Sequence, residues 1–278
     1  MQARPIVKWA GGKGRLVPAL RRHVPPKMRT YVEPFAGGAA LFFALASETP
    51  RPFERAVLCD MNEELVACYR AVQSDVEAVI AALGKYKYDR EVFYKTRERD
   101  TRRLGDVARA ARLIYLNRTC YNGLWRVNSK GKFNVPFGRY TNPLICDAKS
   151  LRAASAALAG VELRVGDFSS VTSGLGRGDF VYFDPPYVPV SKTADFTSYA
   201  KGGFGPEEQE RLVCEMRRLA RAGVGTLLSN ADTPGTRALY RQFVHHTVDA
   251  RRSINSDSRK RGPVRELLVR TEVAHARR

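Results

Sequence analysis

Apolar and polar residues divide the chain into short apolar runs that alternate with longer segments of helical spacing. The runs are rich in Val, Leu and aromatic residues, which is typical of buried β-strands. They cover residues 30–33, 56–60, 161–165, 180–183, 225–229, 244–249 and 265–270. Helical spacing appears at 16–20, 42–45, 65–72, 147–158, 206–221 and 233–243. Strands that alternate with helices predict an α/β fold built on an open sheet.

Residues 74–143 interrupt this alternation. Two stretches of helical spacing come first, at 90–103 and 106–117. Residues 118–140 then alternate on both sides of Ser129-Lys130-Gly131, which predicts a β-hairpin. Basic residues interleave there with aromatic ones, and such a ribbon fits the DNA major groove, where an Arg can read guanine. The alternative is a surface hairpin with a solvated charged face.

The net charge indicates the kind of partner. The chain carries 47 Lys and Arg residues against 28 Asp and Glu residues, a formal charge of +19. An excess of this size favours a polyanionic partner such as nucleic acid, although it says nothing about the fold. The alternative is a basic surface that is only solvated.

Other features of the composition narrow the class of protein. No apolar run reaches the roughly 18 residues of a membrane span, and no leader pattern is found, so we expect neither membrane insertion nor export. The five cysteines are odd in number and lack paired metal-ligand spacing, which indicates reduced thiols in a cytoplasmic protein. The four histidines form no ligand pattern either. The sequence therefore predicts no metal site.

The run at 180–183 ends abruptly in Asp184-Pro185-Pro186-Tyr187. Because proline lacks an N–H and fixes φ, this loop is stiff and presents acceptors between a carboxylate and an aromatic ring. The Asp184 carboxylate and the Pro185 carbonyl can each accept one N–H of an exocyclic amine such as adenine N6, and Tyr187 can stack on the base. Their pull favours a tetrahedral nitrogen whose lone pair turns toward an electrophile. The alternative is an ordinary surface loop.

A glycine-rich loop, Lys8-Trp9-Ala10-Gly11-Gly12-Lys13-Gly14, precedes the first helical pattern. It is not a phosphate-binding P-loop, because the spaced first glycine is missing, Gly14 replaces the required Ser or Thr, and no strand precedes it. We predict a flexible loop that brings Trp9 and Lys13 to a ligand. The alternative is a loop that carries a core tryptophan.

Three further strand ends suit a nucleoside. A small-residue turn with Gly37 lets the backbone approach a ligand at a helix start. Asp60 ends the second strand, where an acid binds ribose hydroxyls in nucleotide-binding α/β folds. Asp167 and Phe168 follow the third strand. Asp167 can accept a hydrogen bond from the amino group of an adenine, and Phe168 can stack on the face of that base. Because no G-x-G-x-x-G fingerprint is present, these residues predict an adenosine-like ligand and not a dinucleotide.

Motifs spread over nearly the whole chain carry a family resemblance. They are Lys8-Trp9-Ala10-Gly11-Gly12-Lys13, Glu33-Pro34-Phe35-x-Gly37, Asp60-x-Asn62, Leu116-Asn117-Arg118, Tyr121-Asn122-Gly123-Leu124, Phe133-Asn134-Val135-Pro136-Phe137-Gly138, Asp184-Pro185-Pro186-Tyr187, Ser229-Asn230 and Arg251-Arg252-Ser253-Ile254. In these motifs the chain resembles the Dam-type (D12 class) DNA adenine N6-methyltransferases. The Asp-Pro-Pro-Tyr tetrapeptide occurs in several amino-methyltransferases, whereas the Phe133–Gly138 motif is far more specific.

The resemblance implies a fold, a reaction and partners. The fold is a seven-stranded, Rossmann-like S-adenosyl-methionine-dependent methyltransferase sheet formed by residues 1–75 and 150–278. A helical, β-hairpin-bearing target-recognition insertion occupies 76–149. The reaction is transfer of the methyl group of S-adenosyl-methionine to N6 of an adenine flipped out of duplex DNA, within GATC. The enzyme is expected to be a DNA-associated cytoplasmic monomer that needs no metal.

The resemblance also implies residue roles. The catalytic residues are Asp184, Pro185, Pro186 and Tyr187. The cofactor-binding residues are Trp9, Lys13, Glu33, Phe35, Gly37, Asp60, Asp167, Phe168 and Asp184. The DNA-binding residues are Lys8, Arg118, Tyr121, Asn122, Leu124, Arg126, Pro136 and Arg139. The chain departs from the family at Ala39, where many relatives have a second glycine, and at Thr119-Cys120 and Trp125 beside the hairpin.

Two other functions stay open at the level of sequence. One is an amino-methyltransferase that acts on RNA or on a protein amide, against which the hairpin argues. The other is a non-catalytic DNA-binding module that keeps the fold, against which the intact Asp60, Asp184 and Tyr187 argue.

Overall fold

The computed structural model describes residues 2–187, 204–251 and 263–271. The Arg252-Ser253-Ile254 part of the last motif lies outside these residues. By contacts the chain divides into two compact units. We call them the helical unit, which combines Met1–Gly12, Gly37–Thr49 and Asn62–Val165, and the sheet unit, which combines Lys13–Ala36, Pro50–Met61 and Gly166–Arg278.

Among the residues that the structure describes, seven strands form one sheet, which confirms the predicted α/β class. Their bounds are β1 Met28–Glu33, β2 Phe53–Asp60, β3 Glu162–Val165, β4 Phe180–Phe183, β5 Gly225–Ala231, β6 Val244–Arg251 and β7 Pro263–Arg270. The order across the sheet is β3-β2-β1-β4-β5-β7-β6. β1 pairs in parallel with β2 and β4, β4 pairs in parallel with β5, and β7 runs antiparallel to β5 and β6. The strand order reverses between β1 and β4, which is where open α/β sheets bind ligands.

The helices of the described residues follow the predicted segments in most places. Their bounds are α1 Val17–Arg21, α2 Ala40–Ala46, α3 Glu63–Ser74, α4 Val76–Leu83, α5 Arg90–Arg97, α6 Asp106–Thr119, α7 Ala148–Leu158, α8 Ser169–Thr172, α9 Pro206–Arg221 and α10 Pro234–Leu239. The side chain of Asn62 caps α3 by accepting a hydrogen bond from the Leu65 N–H at 3.0 Å. This cap satisfies one of the free N–H groups at a helix start.

The structure differs from the predicted helices in four places. α4 and α8 were not predicted, and α10 ends at Leu239, short of the predicted 243. α4 begins immediately after α3 because the Asp75 side chain accepts a hydrogen bond from the Ala78 N–H and starts a second helix. The predicted helix over 90–103 breaks into α5 and a 3₁₀ turn at Thr101–Arg103, since Asp100 caps that turn through the Arg102 N–H.

In the sheet unit, a buried carboxylate fixes the start of β4. Asp179 accepts two hydrogen bonds from the Arg29 guanidinium, at 2.9 and 2.6 Å. It also accepts bonds from the backbone N–H groups of Thr30 and Gly176. Four bonds to one buried carboxylate therefore hold the start of β4 against β1.

In the helical unit, the segment 120–140 is not the continuous hairpin that its alternation predicts. Within the described residues, its two arms are joined by isolated bridges at Cys120–Phe137 and Val127–Phe133. Trp125 and Phe133 are both buried, with ring centroids 4.8 Å apart. The two arms of the predicted hairpin therefore pair, although not as a continuous ladder, and aromatic packing adds to this pairing. Four backbone hydrogen bonds join the arms: Tyr121 N–H to the Pro136 carbonyl, Gly138 N–H to the Thr119 carbonyl, Asn134 N–H to the Arg126 carbonyl and Asn128 N–H to the Lys132 carbonyl.

Candidate functional site

Four strands of the sheet unit end in polar residues at one edge. Glu33 ends β1, Asp60 ends β2, Asp184 directly follows β4, and Ser229 lies near the end of β5. These strands are parallel, so their carboxyl ends share an edge of the sheet. Carboxylates at this edge can accept hydrogen bonds from hydroxyl and amino groups of a ligand.

Asp184 belongs to a chain of buried polar side chains. The Lys13 ammonium nitrogen Nζ lies 2.6 Å from Asp184 Oδ1, and only 4% of the Lys13 side chain is exposed. Ser229 Oγ donates a hydrogen bond to the same oxygen at 3.0 Å. The Tyr182 hydroxyl lies 2.9 Å from Ser229 Oγ. A buried ammonium requires a partner, so Lys13 and Asp184 act as one charged pair.

Burial determines the protonation of this group of side chains. It raises the pKa of Asp184 above its ordinary value of 3.8, and the Lys13 charge and the hydrogen bonds from Lys13 and Ser229 oppose that rise. Burial and the negative charge of Asp184 also raise the pKa values of Tyr182 and Tyr187. Both phenols therefore keep their protons at neutral pH and serve as hydrogen-bond donors.

The raised pKa of Asp184 predicts a pH dependence. As the pH falls, Asp184 takes up a proton and loses both its charge and its capacity to accept N–H donors. On the prediction that Asp184 holds the amine that accepts a methyl group, the rate of methyl transfer should decline toward acid pH, and the midpoint of this acid limb should lie above 3.8. Because Lys13 lowers this pKa, the residual activity of Lys13→Met should show the limb at higher pH.

Single-turnover rates measured from acid to neutral pH test this expectation. The control is Lys95→Met, which breaks an exposed ion pair with Glu91 at 2.7 Å and should leave the limb unmoved. An acid limb at or below 3.8, or one that Lys13→Met does not raise, would contradict the assignment.

The remainder of the Asp-Pro-Pro-Tyr loop is also held by side chains. The Tyr187 hydroxyl donates to Glu266 Oε2 at 2.6 Å. Lys13 Nζ lies 4.9 Å from the centroid of the Tyr187 ring. Gln209, itself buried, donates through Nε2 to the Pro186 carbonyl at 3.3 Å. The loop is therefore fixed at its carboxylate, in its middle and at its aromatic ring.

Aromatic side chains of the sheet unit cluster around Phe35. Its ring centroid lies 5.7 Å from that of Phe168 and 5.4 Å from that of Phe204. Phe168 is only 2% exposed and belongs to the hydrophobic core, whereas Phe35 is half-buried. Of the two aromatic residues predicted to line the cofactor pocket, Phe35 thus has the more accessible ring.

Two of the other acids predicted to bind the cofactor make hydrogen bonds with neighbouring side chains of the protein. Glu33 is buried and accepts a hydrogen bond from the Tyr31 hydroxyl at 2.5 Å. Asp167 accepts bonds from Ser169 and from the Arg211 guanidinium at 2.9 Å. Partial burial raises the pKa of Asp167, but these bonds outweigh it and hold the pKa below its ordinary value. The binding roles of Glu33, Asp60 and Asp167 stay predictions.

In the helical unit, Trp9 lies against the glycine turn. Gly37 has a φ of +46°, and a Cβ at this position would lie 2.9 Å from Cδ1 of Trp9. Only glycine allows this approach without a shift. Trp9 stacks on the buried Trp125 with centroids 6.1 Å apart, while it is itself half-buried. Ala39, which replaces the family's second glycine, adopts a φ of 51°, so the left-handed turn is preserved. Contact of Trp9 and Gly37 with the cofactor stays a prediction.

Lys8 is positioned by its backbone. Its N–H donates to Asn117 Oδ1 at 2.8 Å, and Asn117 Nδ2 donates back to the Lys8 carbonyl at 2.7 Å and to the Gly123 carbonyl at 3.0 Å. Asn117 is fully buried. The Lys8 ammonium lies 5.5 Å from the centroid of the Tyr140 ring. This arrangement leaves the Lys8 side chain exposed above the segment 120–140.

The residues predicted to meet DNA differ in exposure. The exposed ones are Lys8, Tyr121, Arg126, Pro136 and Arg139, and the half-buried ones are Arg118, Asn122 and Leu124. Arg118 donates to the Ile6 carbonyl at 2.9 Å, so part of its guanidinium holds the N-terminal segment. Arg126 Nε donates to Asn134 Oδ1 at 2.8 Å across the segment. Asn122 has a φ of 55°, the left-handed conformation that Asn tolerates.

Sequence reasoning missed several residues that surround Asp184 and Tyr187. These are Tyr182, Gln209 and Glu266; Ser229 was quoted in a motif but given no role. Tyr182 lies in β4, two residues before Asp184, which directly follows that strand, so the period of two in β-strands was a signal that the two side chains point to the same face. Nothing local marks Gln209 or Glu266, because their partners lie far away in the chain.

No helix in the described part of the chain is long and apolar enough to cross a membrane. Across residues 2–187, 204–251 and 263–271, no three His, Cys, Asp or Glu side chains are grouped so as to hold a metal ion.

The known proteins that this chain is similar to in the comparisons that follow are all methyltransferases. Residues 9–254 match the family described as D12 class N6 adenine-specific DNA methyltransferase. The chain is 40% identical to the type II methyltransferase M1.LlaDCHI of Lactococcus lactis subsp. cremoris, over 96% of this chain and 94% of that protein. It is 39% identical to the type II methyltransferase M.MjaIII of Methanocaldococcus jannaschii, over 97% and 99% respectively. It is 36% identical to the DNA adenine methylase of Escherichia coli K12, over 96% and 94%.

Proposed function

The chain belongs to the D12 class of N6 adenine-specific DNA methyltransferases, and from this premise we propose that it methylates the adenine of GATC after flipping that base out of the duplex. The class makes the chain an enzyme that transfers a methyl group from S-adenosyl-methionine to DNA. The target sequence and the flipping step are the parts that we add.

The polar edge of the sheet unit fits the cofactor. S-adenosyl-methionine supplies an electrophilic methyl group on a positively charged sulfur. Asp60 at the end of β2 suits the ribose hydroxyls, the half-buried ring of Phe35 suits a flat base, and the Asp184 carboxylate suits a nearby positive charge. These are the residues of the sheet unit that we expect to hold it.

The Asp-Pro-Pro-Tyr loop suits an extruded adenine. We propose that Asp184 and the Pro185 carbonyl accept the two N–H groups of N6 while Tyr187 stacks on the base. As the bond between N6 and the methyl carbon forms, the bond from that carbon to sulfur breaks, and its electron pair stays on the sulfur as a neutral thioether. Positive charge develops on N6 until one of its hydrogens is lost to solvent as a proton, and the Asp184 carboxylate stabilises that charge. Because Lys13, Ser229, Gln209 and Glu266 hold the loop in advance, little reorganisation is needed in the transition state.

Asp60→Ala is expected to weaken S-adenosyl-methionine binding by ~1–3 kcal/mol, the cost of losing a charge-assisted hydrogen bond. Titration calorimetry measures this, and DNA affinity without cofactor should barely change. The control Asp232→Ala removes another acid at a strand end, one that pairs with the exposed Arg237 at 2.6 Å. Unaltered cofactor affinity in folded Asp60→Ala would remove Asp60 from the site.

The proposal of GATC rests on the segment 120–140. Arg126 and Pro136 are exposed there, while Trp125 and Phe133 face the interior. An exposed Arg can fork to guanine O6 and N7, and Leu124 or Pro136 can meet a thymine methyl group. Lys8 can reach the guanine that flanks the flipped adenine. The resemblance to Dam-type enzymes supports the same assignment for these residues.

Short duplexes test the function and its alternatives together. Methyl uptake from labelled S-adenosyl-methionine should be high for a duplex with one GATC and low for duplexes with any one base pair of that site replaced. Uptake by RNA in preference to duplex DNA would favour the alternative substrate, and no uptake by any of them would favour a binding module. A 2-aminopurine in place of the target adenine should brighten on binding, because flipping removes it from the stack.

A further inference from the structure

We propose that Ser229 and Tyr182 are positioning residues that anchor the Asp184 carboxylate through Oδ1 and leave Oδ2 to accept a hydrogen from adenine N6. This inference rests on the proposed role of Asp184 in holding the target amine. It assigns different tasks to the two oxygens of one carboxylate, and it adds two residues to the machinery of methyl transfer.

The two oxygens of Asp184 have different surroundings. Oδ1 lies 2.6 Å from Lys13 Nζ and accepts the hydrogen bond from Ser229 Oγ at 3.0 Å. No donor from the described residues reaches Oδ2. Two donors on one oxygen restrict rotation of the carboxylate, so the other oxygen has a defined direction. An oxygen without a protein donor retains its lone pairs for the substrate.

The direction of the hydrogen bonds follows from counting protons. Ser229 has one hydroxyl hydrogen, and it is directed to Asp184. The contact of 2.9 Å between Ser229 Oγ and the Tyr182 hydroxyl must therefore run with Tyr182 as donor. Tyr182 is suited to this task because burial keeps its phenol protonated. Each hydroxyl in the chain thus donates toward Asp184, and each donation strengthens the next.

Strand register brings these three residues together. Tyr182 in β4 pairs with Leu227 in β5, so the parallel register places Asp184 beside Ser229 two residues further along both strands. Side chains two residues apart lie on the same face of a sheet. Tyr182 and Ser229 are 3% and 0% exposed. The backbone of the core sheet therefore fixes Tyr182 and Ser229 beside Asp184, whereas Asp184 itself lies in the loop that follows β4.

The test compares Ser229→Ala and Tyr182→Phe with the parent enzyme in single-turnover methylation of a GATC duplex. Ser229→Ala loses a hydrogen bond to a charged group and should slow transfer roughly tenfold. Tyr182→Phe loses only a neutral hydroxyl and should slow it roughly threefold. The double variant should be no slower than Ser229→Ala, because Tyr182 acts only through Ser229. Binding of DNA and of S-adenosyl-methionine should be unchanged in all three.

Two further measurements distinguish positioning of Asp184 by Ser229 from a purely structural role of Ser229. Ser229→Ala should raise the acid limb of the rate, since Ser229 helps to hold down the pKa of Asp184. The matched control is Thr226→Val, which removes another buried hydroxyl of β5 that bonds to Thr271 at 3.2 Å. It should leave both the rate and the acid limb unchanged.

The outcomes are distinguishable. A parent enzyme that methylates no adenine contradicts the proposed function itself. A parent that is active and inactivated by Asp184→Asn, with Ser229→Ala and Tyr182→Phe at parental rates and an unmoved acid limb, overturns only the positioning role. Additive effects in the double variant would likewise overturn it. If Ser229→Ala fails to fold, the single-turnover rate of Tyr182→Phe alone tests the positioning role. This substitution removes one oxygen and keeps the buried ring, so the fold should survive.

Discussion

Asp184→Asn is expected to reduce single-turnover methyl transfer by about 10²–10³-fold, the effect of removing one preorganised charge-stabilising group. Asparagine keeps the shape of the side chain and an acceptor for Lys13 and Ser229. It replaces the second carboxylate oxygen by an NH₂ group, which repels the N–H of the substrate amine. The fold should therefore survive while the reaction fails.

Rapid-quench assays with saturating enzyme measure this effect, and Asp232→Asn is the control for replacing a strand-end aspartate. Asp184→Ala is the less informative variant. It removes the carboxylate that lies 2.6 Å from the buried Lys13 ammonium, and breaking a buried charged pair costs about 3–5 kcal/mol of unfolding free energy. A rate for folded Asp184→Asn within tenfold of the parent would rule out the role assigned to the carboxylate.

Arg126→Ala is expected to relax discrimination at one guanine of the target by ~1–3 kcal/mol, about 5- to 150-fold. Asn134 engages only Nε of Arg126, at 2.8 Å. That bond orients the guanidinium, and its two outer nitrogens can fork to guanine O6 and N7. Loss of the fork should let sites altered at that guanine be methylated nearly as well as GATC.

The measurement compares kcat/KM on duplexes altered at each position, for the parent and for Arg126→Ala. Lys130→Ala, at the exposed tip of the same segment, is the matched control. A residue that contacts phosphate should weaken binding to all sequences alike and reduce its salt dependence, without changing the preferred sequence. If Arg126→Ala discriminates between the duplexes as well as the parent does, another residue and not Arg126 contacts the guanine.

The sheet could be predicted from the sequence because its strands are short apolar runs with polar residues at their ends. β4 was predicted at its full extent, and β2 only in its second half, since Phe53 and Glu54 precede the apolar run. α4 was missed because nothing but the Asp75 cap separates it from α3. The hairpin was predicted from an alternation that reflects Trp125 and Phe133 packing into the interior, and its two arms pair through backbone hydrogen bonds, although not as a continuous ladder.

The site could be predicted in its chemistry but only partly in its geometry. Asp184 stands out because a carboxylate, two prolines and an aromatic ring follow a buried strand. Its pairing with Lys13 and Ser229 depends on strand order and register, which link residues distant in the chain. The anchoring of Tyr187 by Glu266 depends on β7, which returns antiparallel beside β5. Such tertiary contacts leave no local signal.

One measurement tests the central claim most directly. Unmethylated genomic DNA is incubated with the purified protein and S-adenosyl-methionine and then sequenced by a method that detects N6-methyladenine at single bases. We predict that the adenines of GATC sites are methylated on both strands and that other adenines are not. Methylation confined to a different sequence would refute GATC as the target, and DNA without N6-methyladenine would contradict the proposed reaction itself.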